Sequence, residues 1–146
     1  MRSVRRFLIA LALLLPVSLP RPAAAQQNPK AALAPVITAG LEAYRNVGID
    51  QAFRAWLRNS PLHWDPALAA PLHSAQEQFG PFQDWDVIAV RGLGSTTRIV
   101  YLVLDYQDGP AFAKFVLYRT EQQGWIITNL KFSLEEDAIL PPMTLP

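Results

Sequence analysis

From Thr97 onward, apolar residues recur in three consecutive runs, Thr97–Tyr106, Ala111–Arg119 and Trp125–Phe132. The runs are rich in β-branched and aromatic residues, and the clusters Gln107-Asp108-Gly109-Pro110 and Glu121-Gln122-Gln123-Gly124 separate them. This predicts three antiparallel strands joined by two hairpins. An earlier strand is predicted over Asp86–Leu93, with Gly92 and Gly94 marking a bulge or turn at its end. Upstream of it the period changes. Leu33, Ile37, Leu41 and Tyr44 recur along one helical face. Pro35 fits the first turn of that helix, and Gly48 suits a left-handed stop. Asp50 reads as the N-cap of a second helix that runs to about Arg58 and turns Phe53, Trp56 and Leu57 inward. Asp65-Pro66 opens a third, with Leu68, Leu72, Ala75 and Phe79 on its apolar face. Pro71 inside it predicts a kink or a split near Ala70.

The three main strands raise a question of coverage. A simple register sets position 105 opposite 112 and 118 opposite 126. Ile99, Tyr101, Val103 and Asp105 then share a face with Phe112, Lys114, Val116 and Tyr118, and with Ile126, Thr128, Leu130 and Phe132. The other face carries Val100, Leu102, Leu104 and Tyr106, then Phe115, Leu117 and Arg119, then Trp125, Ile127, Asn129 and Lys131. Both are mostly apolar, whereas a sheet with one solvated face alternates apolar with polar. The helices account for one face. The other needs the rest of the chain, a second subunit or a ligand. An isologous homodimer is the simplest symmetric solution. An envelope protein partner and a small apolar ligand are the other occupants to weigh. The pattern does not say which face the helices take; a charge at Leu102 is the natural probe of an interface.

Composition changes this picture mainly at the N-terminus. Arg2, Arg5 and Arg6 precede the apolar run Phe7–Leu15, and Ala23-Ala24-Ala25 supplies a small-residue cleavage pattern. Residues 1–25 therefore read as a secretory signal peptide, cut before Gln26. Nine apolar residues fall well short of the roughly 20 that span a bilayer, so no membrane anchor is expected after cleavage. The expected location is periplasmic or secreted. Residues 26–32 read as a flexible leader, 33–137 as one domain, and 138–146 as a proline-rich tail. Removing Arg2, Arg5, Arg6 and Arg21 from the thirteen basic residues leaves nine against twelve acidic, a formal net of −3. A weakly acidic chain without a basic cluster argues against nucleic acid as a partner. The chain has no cysteine, so its stability must come from packing.

The order of elements carries a family resemblance. Tyr44 on the leading helix, Gly48-x-Asp50-x-Ala52-Phe53 at the second helix, and the closing strand Gly124-Trp125-Ile126-Ile127 resemble the NTF2-like (cystatin-like) superfamily, in particular its small exported members. The resemblance spans roughly 33–132. It implies an α+β fold, with N-terminal helices packed on a curved antiparallel β-meander that forms a cone around an apolar pocket. It also implies frequent dimers. Some members are isomerases or dehydratases, and others bind ligands or partners without chemistry; fold alone does not choose.

Candidate chemistry is sparse. His63 and His73 are the only histidines, and their spacing is not that of a metal site. No cofactor motif is present. Asp105 lies near the end of an apolar strand, on the predicted face of Tyr101 and Lys114. A carboxylate in an apolar pocket has a raised pKa, which suits acid or base work; the simpler reading is a solvated strand-end residue or an ion pair with Lys114. Asp105 and Tyr101 are thus the weak catalytic candidates, and Tyr101, Lys114 and Tyr118 the weak ligand-binding ones. The expectation is an exported, non-catalytic binding or interaction module. The alternative is a small isomerase- or dehydratase-like enzyme with Asp105 as its acid or base.

Overall fold

A computed structural model describes residues 28–142. The signal peptide expected over residues 1–25 lies outside the described residues, as does the end of the tail. Three helices, α1 (Pro35–Asn46), α2 (Ile49–Trp56) and α3 (Pro66–Phe79), precede four strands, β1 (Phe82–Leu93), β2 (Thr97–Tyr106), β3 (Pro110–Thr120) and β4 (Gly124–Ser133). The strands form one antiparallel meander in the order β1-β2-β3-β4. The helices pack on one face of this curved, open sheet, so the fold is α+β.

Local chemistry explains most of the boundaries. Pro35 occupies the first position of α1, where its missing N–H costs nothing. Gly48 takes φ 138° and serves as both the exit of α1 and the N-cap of α2. Ile49 is buried inside that first turn, so the helix starts ahead of Asp50. Asp50 therefore acts through the positive end of the helix rather than as its cap. The Asp65 side chain accepts from the Ala67 N–H and caps α3 as expected. Pro71 does not split α3, which runs unbroken to Phe79 and stops at Gly80 with φ 81°. Pro29–Ala32, expected in a flexible leader, forms a 3-10 turn, and Lys30 ties it to Asp84 of β1 at 2.9 Å.

The register settles which residues share a face. Tyr101 stands opposite Lys114, and Asp105 opposite Pro110. The hairpin is tighter than the simple register by two residues, which leaves the faces unchanged. Tyr118 pairs with Ile126 as expected, but a bulge follows between Val116 and Leu117. Beyond it Phe115 opposes Leu130 and Ala113 opposes Phe132. An extra residue in one strand inverts the remainder of that strand. Leu130 and Phe132 consequently join the helix-covered face, and Asn129 and Lys131 move to the open one.

The core lies between that face and the helices. Val100, Leu102, Leu104, Ala113, Phe115, Leu117 and Ile127 are essentially inaccessible. Leu102 is therefore a core residue and no probe of an interface. Trp56 fills the centre, with Phe115 and Phe132 each 5.4 Å away between ring centroids. Its indole donates to the Ile37 carbonyl at 3.2 Å. This seat requires Gly40, because a Cβ there would lie 1.9 Å from the indole nitrogen.

Candidate functional site

The open face of the sheet is the candidate site. It collects residues that the register aligns in rows across the strands. Asp84 faces Asp105, Asp86 faces Val103 and Phe112, and Arg91 faces Ile99 and Val116. Between the last two rows, Ala89, Tyr101, Lys114 and Lys131 form a single row. Ile99, Val103, Phe112, Val116 and Ile126 are all half-buried, and Tyr118 is 45% exposed. The result is an apolar band with carboxylates at the β1–β2 corner and lysines on the β3–β4 side.

The structure thus brings Tyr101 and Lys114 together as direct cross-strand partners. Tyr118 shares their face, two rows away, opposite Thr97. Asp105 shares the face too, but it is four residues from Tyr101 along one strand. At about 3.4 Å per residue the two backbones are roughly 14 Å apart.

Asp105 is partly buried, and its carboxyl is raised above its ordinary value by that burial, then by the nearby negative charges of Asp86 and Asp84. Asp84 moves the opposite way, because it accepts a hydrogen bond from Lys30. Among the described residues, no group of three or more His, Cys, Asp or Glu is arranged to hold a metal ion.

One border of the open face is covered. After β4 the chain turns back through a short 3-10 segment, Glu136–Ala138. The Lys131 ammonium donates to the Ala138 carbonyl at 3.0 Å, which places this turn beside the open side of β4. Ile139 is 5% exposed and Tyr101 7%, and they are the buried apolar residues among the described ones that stand outside the main core cluster. The rest of the chain, the first of the occupants to weigh for this face, thus covers part of it.

The opposite face offers no acid. Among the described residues no charged side chain is buried. The polar groups that do reach the interior are Tyr44 and Tyr106, whose hydroxyls share a 2.8 Å hydrogen bond. Burial pushes Tyr44 up to about 12 and raises Tyr106 further. Among the described residues, the Trp85 indole nitrogen is buried without a partner. The Trp85 ring itself is flanked by the Lys30 ammonium at 4.9 Å and the Arg45 guanidinium at 5.4 Å.

No protein-family model matches the chain, and no curated protein or solved structure is detectably similar to it.

Proposed function

We propose that the chain is an exported, non-catalytic interaction module of the NTF2-like kind, whose working surface is the open sheet face and whose occupant is a second copy of itself. The observation that carries this reading is the apolar band of Ile99, Val103, Phe112, Val116 and Ile126, on the side away from the helices. The charges around it are self-complementary. A two-fold axis running along the strands sets β1 over the partner's β4, and β2 over its β3. Asp86 then lies near the partner's Lys131, and Val103 meets the partner's Phe112. An isologous pairing of this kind buries the band without leaving like charges opposed. The mass of the protein in solution, for the wild type and for Val103→Glu, tests it.

The second reading is an enzyme that uses Asp105 as its acid or base. The raised carboxyl of Asp105 favours it. The packed interior beneath the helices weighs against it. If Asp105 were catalytic, Asp105→Asn would abolish turnover of an added substrate while leaving the fold intact.

A further inference from the structure

The helical side of the molecule holds a groove that the sheet-face reading does not use. It runs between the outer side of α2 and the segment leading to α3, and its volume is about 510 Å³. That is within the roughly 300–1,000 Å³ of small-molecule sites. Phe53, Leu57, Leu62 and Trp64 form its apolar wall, with Arg54, His63 and Asp50 on its rim.

Two of these residues point to a ligand. Trp64 leans edge-on against Phe53, 4.8 Å between centroids, yet it remains 49% exposed. Its free face is a large aromatic surface at the groove. Arg54 makes no ion pair among the described residues, although Asp50 sits one turn away on the same helix. A second groove of about 370 Å³ lies on the other side of Arg54 and is lined by His73. Arg54 thus lines both grooves, one with His63 and the other with His73. Asp50 is in the first turn of α2, where the helix end already favours its negative charge. The guanidinium is left to meet an anion from outside, and its fork matches a carboxylate or sulfonate.

We propose that this groove binds a small amphipathic anion, with an aromatic or branched apolar body against Trp64, Leu57 and Leu62 and its charged group on Arg54. The site lies on the helical side, so it stands or falls independently of the sheet-face dimer.

The test uses two probes with a common aromatic body, anilinonaphthalene sulfonate and phenylnaphthylamine, which lacks the sulfonate. Each is titrated into the purified full chain while the Trp64 indole N–H resonance is followed by NMR. The sulfonate should bind saturably, shift that resonance, and lose at least tenfold in affinity in Arg54→Gln; the neutral probe should bind the two proteins alike. Trp64→Ala should remove both. Arg54 is an exposed helix residue, so Arg54→Gln leaves the fold intact. Absence of saturable binding, equal loss of both probes in Arg54→Gln, or shifts centred on Tyr101 and Tyr118 instead of Trp64 would each overturn the proposal.

Discussion

The hydroxyls of Tyr44 on α1 and Tyr106 on β2 meet at 2.8 Å in the interior and tie the leading helix to the sheet. Tyr44 also stacks on Phe82 of β1, with centroids 4.3 Å apart. Tyr106→Phe should leave the Tyr44 hydroxyl buried without its partner, at a cost of about 1–3 kcal/mol. Removing both hydroxyls, in Tyr44→Phe with Tyr106→Phe, should recover part of that loss. Urea unfolding of the three variants measures it.

The same pair sets an alkaline limit. Both pKa values are raised in the folded state, Tyr44 to about 12. Between pH 10 and 12 the folded protein holds protons that the unfolded chain has lost. Stability should therefore be steady below pH 10 and fall as the pH rises through 12. The doubly substituted variant should lose less over that window. Tyr44 and Tyr106 should ionise together with alkaline unfolding, which ultraviolet absorbance follows.

Gly40 is the counterpart of Trp56. A Cβ at position 40 would collide with the indole, which the hydrogen bond to Ile37 holds in place. Gly40→Ala should destabilise by about 1–3 kcal/mol, the usual cost of overpacking a core, although alanine is the better helix former. An unchanged unfolding midpoint would show that Trp56 has another place to go.

Asp105 and Asp84 should pull stability in opposite directions with pH. The Asp105 carboxyl is raised, so its contribution is present below its unfolded value and is lost as the pH rises through the folded one. Asp84 is lowered by Lys30, so its contribution is present above its unfolded value and is lost as the pH falls. Asp105→Asn should remove the first dependence and raise stability at neutral pH. NMR titration of the two carboxyls should give Asp105 above Asp84; the reverse order would contradict the charge layout of the face.

Much of the fold was legible because it rests on period. The β2 strand, Thr97–Tyr106, coincides with its prediction, and α1 buries Ile37, Leu41 and Tyr44 as its spacing required. The first strand starts at Phe82, ahead of its predicted Asp86–Leu93. Its opening residues, Phe82-Gln83-Asp84-Trp85, mix polar and aromatic types, and two register shifts break the alternation. The bulge beside Val116 was invisible for a similar reason: Thr128 and Asn129 are both acceptable strand residues on either face. That one residue decides whether Leu130 and Phe132 are core or surface. The neighbours Tyr101 and Lys114 could be placed from strand pattern alone. The groove at Trp64 and Arg54 could not, since it arises where a loop crosses a helix, and no periodicity encodes that.

If two copies meet through the open face of the sheet, the mass of the protein in solution shows it. Native mass spectrometry of the purified chain should give a dimer. Val103→Glu places a charge in the apolar band and should yield a folded monomer, with circular dichroism unchanged. Leu102→Glu, one residue away but on the helix-covered face, should instead unfold the protein. A wild type that is monomeric at micromolar concentration, or a Val103→Glu variant that remains a dimer, would contradict the account.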